Sequence, residues 1–215
     1  MFMHTIWDVR GCSLEISTNS IWFSVEYRLS PEYKYPIWLN DCIEVTKYII
    51  ENKTLYGETS TKVGVAGDSA GGAIAAVICH TLKNIDFQIL VYPLTNMLAS
   101  FPSSKRFTDV QYGLIPILRH WFNDNAIRDG NDMRDARVSV IFQSSFTGLP
   151  PCLFIVAELD PLLDDKYQKL LDKAGIKTKL VLIKGVIHSF FHLPGIFPKS
   201  CQQAVEAIRD FVAQV

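Results

Sequence analysis

The hexapeptide Gly67-Asp68-Ser69-Ala70-Gly71-Gly72 leaves this chain few ways to fold. It contains the Gly-x-Ser-x-Gly pattern, and its flanks read as a strand on one side and a helix on the other. Residues 62–66 form a short apolar run of buried-strand type, whereas residues 72–79 carry the small and aliphatic side chains of a closely packed helix. A serine at such a junction takes strained backbone. Gly67 and Gly71 let strand and helix approach while the Ser69 hydroxyl projects, and Asp68 and Gly72 complete the elbow. Ser69 is therefore a candidate nucleophile; the bland reading is a glycine-rich turn with an incidental serine.

A serine hydroxyl needs a base, and the base needs an acid to orient it. Candidates for both follow Ser69 in the chain. Residues 151–157 are a continuous apolar run that empties into Glu158-Leu159-Asp160-Pro161-Leu162. Pro161 disfavours helical geometry at Asp160 and holds it in an extended loop, so Asp160 is the candidate acid. Asp164 and Asp165 read instead as charges in the first turn of the next helix. Residues 178–183 predict a further strand, and the loop after it, residues 184–191, carries His188. His188 is the candidate general base, with His192 its competitor. The order nucleophile, acid, histidine is that of strand-end loops in a parallel sheet.

These residues resemble the hormone-sensitive-lipase-like branch of the α/β-hydrolases, and within it carboxylesterases of the arylacetamide deacetylase type. The resemblance rests on residues 23–32 with Tyr27-Arg28-Leu29, on the Gly-Asp-Ser-Ala-Gly-Gly elbow, on Val91-Tyr92-Pro93, on Glu158 to Leu162 and on Gly185-Val186-Ile187-His188. It implies an α/β-hydrolase fold, a mostly parallel sheet flanked by helices, and hydrolysis of carboxylic esters or aryl amides by Ser69, Asp160 and His188. It implies no cofactor. The Ala70 backbone N–H would be one oxyanion donor.

The chain departs from that family at one place. Members carry a His-Gly-Gly-Gly loop before the Tyr-Arg-Leu signature, and its amides complete the oxyanion hole; this chain opens Met1-Phe2-Met3-His4-Thr5-Ile6-Trp7 and has no such run. The resemblance thus reads residues 1–215 as a single partial domain lacking N-terminal strands. The strand leading to that loop is an interior one, whose loss would leave two rows of backbone groups unpaired. Residues 2–7 could replace it, the flanking strands could close up, or the isolated chain could be marginally stable. Alongside the esterase reading stands a second one, a non-catalytic truncated remnant or small-molecule-binding module.

Residues 94–149 contain Pro102, Gly113, Pro116 and Gly130 among many charges, and they resemble the family's cap insertion. Within them Tyr112, Leu114, Ile115, Leu118, Trp121 and Phe122 serve either ordinary helix packing or the lining of a substrate pocket. Trp38, Cys42, Val45 and Ile49 recur at helical spacing, as do Val205, Ile208, Phe211 and Val215, so each set predicts a helix laid on the sheet.

Composition narrows the partners. With 215 residues and a net charge of −1 the chain can bury one sizeable core and shows no basic stripe, which argues against nucleic acid. The five cysteines, Cys12, Cys42, Cys79, Cys152 and Cys201, lack zinc or redox spacing and read as buried thiols, so no metal is expected. No stretch is apolar enough for a signal peptide or membrane span, which points to the cytoplasm for the chain taken alone; full-length relatives implied by the resemblance are often anchored in the endoplasmic reticulum membrane.

Overall fold

The computed structural model describes the backbone of residues 2–4 and all of residues 14–215. Six strands are found there: β1 Phe2–His4, β2 Trp22–Ser24, β3 Gly64–Asp68, β4 Phe87–Val91, β5 Cys152–Leu159 and β6 Thr178–Ile187. They make one sheet in the order β2-β1-β3-β4-β5-β6, and every pairing is parallel. Residues 14–18 are helical, and the helices described in full are α1 Ile37–Glu51, α2 Ala70–Thr81, α3 Pro102–Arg106, α4 Pro116–Ala126, α5 Lys166–Lys173 and α6 Pro198–Val212.

The interior position left open by the sequence is occupied. Phe2–His4 pairs with β2 on one side, from Phe2↔Trp22 to His4↔Ser24, and with β3 on the other, through Phe2↔Gly64 and Met3↔Val65. Both rows of backbone groups thereby gain partners, which a sheet interior demands. Residues 5–7 of the expected replacement lie outside the described residues. The strand expected around residues 23–27 is shorter than anticipated and ends at Ser24.

β3, β4 and the first part of β5 are buried on both faces, as parallel strands covered by helices must be. Alternate residues belong to different apolar clusters. Val65, Leu90, Cys152 and Phe154 face a cluster built with α1, α2 and α5, whereas Ala66, Ile89, Val91, Leu153 and Ile155 face one built with α6. In α6 the buried side is Cys201, Ala204, Ala207, Ile208 and Phe211, with Val205 at its border and Val215 beyond the helix. In α1 the buried side is Leu39, Cys42, Ile43, Thr46 and Ile49, and Val45 is 39% exposed. The expected stripe is therefore rotated. Trp38 lies at the border of that face, half-buried against the core, with its indole N–H donating to the Ala126 carbonyl at 3.1 Å.

Residues 94–149 connect β4 to β5 with helices and 3-10 turns and contain no strand. Part of the segment is core: Met97, Phe101, Phe107, Ile127, Val138, Val140 and Ile141 are all buried. α4 is different, having no buried residue at all. Its position comes from its C-terminal end, where carbonyls have no intrahelical donor. The Lys34 ammonium donates to the Asp124 carbonyl at 2.7 Å, and the Tyr35 N–H and Trp38 indole donate to that of Ala126 at 2.9 and 3.1 Å. Tyr35 adds a hydroxyl bond of 2.6 Å to Asp135.

His80 on α2 is packed edge-on against Phe146 and bonded to the Tyr167 hydroxyl. Burial, aided by Lys83, lowers its pKa from an ordinary 6.5 to about 4. The folded state therefore binds fewer protons than the unfolded chain between those values, so stability is fully present above about 6.5 and is lost as pH falls toward about 4. Urea midpoints measured across that window should fall on acidification, and less steeply in His80→Phe. Parallel curves for the two proteins would show that another group carries the acid sensitivity.

Candidate active site

The elbow between β3 and α2 is strained where the sequence places it. Ser69 has φ 51° and ψ −117°, a conformation that a non-glycine residue holds only when its surroundings fix it. Here they do. Its N–H donates to the Val91 carbonyl at 2.9 Å, and its carbonyl accepts from Leu94 at 3.0 Å and Ala73 at 3.2 Å. A Cβ on Gly67 would lie 2.2 Å from the Gly71 carbonyl oxygen, and one on Gly72 would lie 2.9 Å from Pro93 Cβ. Both glycines are thus demanded by close approach of the chain to itself.

The three candidate residues meet at the carboxyl ends of β3, β5 and β6. Ser69 Oγ is 2.8 Å from His188 Nε2, and His188 Nδ1 is 2.7 Å from Asp160 Oδ2. Asp160 is 1% exposed and His188 7%, and the other Asp160 oxygen accepts the Leu162 N–H at 2.7 Å. That leaves Asp160 one free direction, toward the Nδ1 hydrogen. The Nε2 lone pair then faces the Ser69 hydroxyl. Tyr92 packs on the imidazole with ring centroids 4.8 Å apart. β6 runs on to Ile187, past its expected end, and turns at Gly185 with φ 69°. The Gly185 N–H donates to Glu158 at 2.8 Å, which joins the loop bearing Asp160 to the strand leading to His188.

His192, the competing histidine, is elsewhere. Its Nε2 lies 2.8 Å from Asp68 Oδ2, so it contacts the elbow through the residue before Ser69. Asp164 and Asp165 precede α5, which begins at Lys166; burial raises the Asp164 pKa above the ordinary carboxylate value.

Over Ser69 lies a cavity of about 470 Å³, within the size range of small-molecule sites. Its lining includes Ser69, Ala70, His188, Leu94, Met97 and Leu162 from below and Leu114, Arg119, Trp121 and Phe122 from the segment above. Three of the six residues offered for a pocket, Leu114, Trp121 and Phe122, are there. Tyr112 is not, since its ring packs on Phe107 at 4.8 Å. Trp121 and Phe122 are 58% and 52% exposed, so they are not spent on helix packing. Ala70 opens α2, whose first amides have no intrahelical acceptor, and it borders the cavity. The residues after His4, where the family's glycine loop would fall, lie outside the described residues. Sequence reasoning passed over Arg119, which no local motif marks, and met Tyr92, Glu158 and Leu162 only as members of motifs, without a role at the site.

Among the described residues no group of His, Cys, Asp and Glu side chains is arranged to hold a metal. Cys42, Cys79, Cys152 and Cys201 are free and buried, and burial raises the pKa of the Cys42 thiol to about 12. Cys12 lies outside the described residues. No described helix is long and apolar enough to cross a membrane.

Comparison with known proteins gives a consistent set of relatives. A family model described as alpha/beta hydrolase fold matches residues 11–192. The chain is 28% identical to the ethyl acetate hydrolase of Pseudomonas putida, over 87% of its own length and 62% of the relative's. It is 30% identical to esterase LipI of Mycobacterium tuberculosis, over 87% and 61%. The chain thus spans about three fifths of these relatives. Among solved structures, an alpha/beta hydrolase enzyme from the metagenome of Lake Arreo superposes with a TM-score of 0.92 at 30% identity, covering 99% of this chain and 72% of the other. An esterase from Pyrobaculum calidifontis gives 0.89 at 27% identity, covering 99% and 75%.

The elbow makes a sharp expectation. Gly67→Ala drives a methyl group into main chain that cannot yield, and should cost roughly 3 kcal/mol, the upper end for overpacking. Gly130→Ala, with nothing within 4 Å of the new Cβ, should be neutral. Equal denaturant midpoints for the two variants would contradict the close approach.

Proposed function

Because this chain belongs to the alpha/beta hydrolase fold family, we propose that it is a serine hydrolase cleaving carboxylic esters, with Ser69 as nucleophile, His188 as base and Asp160 as orienting acid. The observation that carries the reading is the unbroken relay of 2.8 and 2.7 Å from Ser69 through His188 to Asp160, placed beneath a mostly apolar cavity. The names of the similar proteins support ester chemistry. Aryl amides, the substrates implied by the arylacetamide deacetylase resemblance, are a narrower form of the same proposal. Residues 94–149 act in it as the cap over the acyl or aryl pocket.

The relay gives each group one task. Ser69 Oγ attacks the ester carbonyl as its proton passes to His188 Nε2, and Asp160 holds the Nδ1 hydrogen and stabilises the imidazolium. The proton then goes to the departing alkoxide. Water, deprotonated by His188, releases the acyl group, while the Ala70 N–H supports the oxyanion in both steps. Without a His-Gly-Gly-Gly run the hole depends on what other donor the chain supplies, and a single missing donor slows turnover by about 10²–10³-fold. The second reading is a module that binds its ligand in the same cavity without turning it over.

A fluorophosphonate probe should label Ser69 and leave Ser69→Ala unlabelled. Labelling of both would move the nucleophile elsewhere. With a short p-nitrophenyl ester, Asp160→Asn should lower kcat by about 10⁴-fold with the fold retained. His188→Ala should be at least as damaging, whereas His192→Ala should stay within about tenfold of the parent. If His192→Ala is the more damaging of the two, the base is misassigned; if no variant differs from a parent that binds but does not hydrolyse, the binding-module reading holds.

A further inference from the structure

Arg119 is the odd member of the cavity lining. Among the described residues, that lining holds one guanidinium and no carboxylate, amid Leu94, Met97, Leu114 and Leu162. The guanidinium is poorly partnered. One Nη2 hydrogen makes a long bond of 3.3 Å to the Ser104 carbonyl, and the Nε N–H is buried with no acceptor. Asp160 acts on it only through space, because its two oxygens already accept from His188 and Leu162. Burial works against the charged form, yet an arginine in a protein keeps its proton. The cavity lining therefore carries a partly desolvated fixed cation with more N–H donors than the protein uses.

A guanidinium presents paired N–H groups in the geometry of a carboxylate. The surroundings favour that monoanion over a phosphate, whose three oxygens need a cradle of donors. The neighbouring amides are engaged elsewhere, Asn123 donating to the Met97 carbonyl at 3.2 Å and Asn125 to that of Trp121 at 2.7 Å. We infer that the site takes esters bearing a free carboxylate, held by Arg119 while the ester carbonyl sits at Ser69. The inference rests on the hydrolase reading and names its substrate class: half-esters of dicarboxylic acids or acylated hydroxy acids. The carboxylate is a spectator. Ser69 Oγ forms the new bond to the ester carbon, the bond to the leaving oxygen breaks, and the proton travels through His188.

Two matched pairs test the charge and its side of the ester. Ethyl hydrogen glutarate against ethyl pentanoate places the anion in the acyl part, and γ-acetoxybutyrate against butyl acetate places it in the alcohol part. In at least one pair kcat/KM for the anionic ester should exceed that for its neutral partner by about tenfold or more, the size of one charge-assisted hydrogen bond. The ratio should collapse toward one in Arg119→Met and survive in part in Arg119→Lys. Equal or reversed ratios in both pairs, or a ratio unchanged in Arg119→Met, would overturn the inference and leave the hydrolase reading standing. If no ester is turned over, calorimetry on Ser69→Ala decides. Tighter binding of the anionic member that disappears in the Ser69→Ala, Arg119→Met double variant upholds the carboxylate site without the hydrolase; no such difference refutes both.

Discussion

The near-contact of Gly67 with Gly71 is the constraint on which the site depends. Two stretches of main chain lie closer than any side chain permits, so the residue between them must bridge from strand to helix through a conformation that costs free energy of order 1–3 kcal/mol. The bonds from Ser69 to Val91 and Leu94 hold it there. Those partners lie at the end of β4 and just after it, so the elbow is fixed by the sheet. The sheet in turn needs β1, because β3 would otherwise have one bare edge. A hydroxyl at the rim is thus secured by hydrogen bonding that reaches across several strands.

Much of this was legible in the sequence because a parallel sheet has one productive edge. Once the runs ending at Ala66, Ala157 and Ile183 are read as strands, the loops that follow them must emerge side by side. Ser69, Asp160 and His188 do so. The limits of local reading are equally physical. A strand as short as Phe2–His4 contains too little periodicity to be told from a loop, and its pairing is decided by residues 22–24 and 64–65. The rotation of α1 that buries Leu39 and exposes Val45 is set by what packs against the helix from distant parts of the chain, which spacing within the helix does not record. Between packing and pocket lining, which the sequence left open for Tyr112, the ring at Phe107 decides for packing.

The two histidines show how environment, and not residue type, divides roles. His188 is buried against Tyr92 with both ring nitrogens committed to the relay, whereas the His192 side chain is 37% exposed and meets an acid on the elbow's own strand. Both pair with an aspartate. His188 also reaches the Ser69 hydroxyl.

The capture of the α4 carbonyls by Lys34, Tyr35 and Trp38 separates two jobs that one helix usually has to combine. Helices are ordinarily located by their side chains, so changing those side chains moves the helix. α4 buries none and is located chiefly by bonds to its C-terminal main chain, with Asn123 adding one to the Met97 carbonyl. Exposed side chains such as Trp121 and Phe122 are consequently released from structural duty, and can be exchanged for groups of other size or charge without relocating the backbone that carries them. The roof of the cavity behaves as an interchangeable fitting on a fixed mount, so ligand preference can drift from one descendant of this sequence to another while the chemistry below it stays the same.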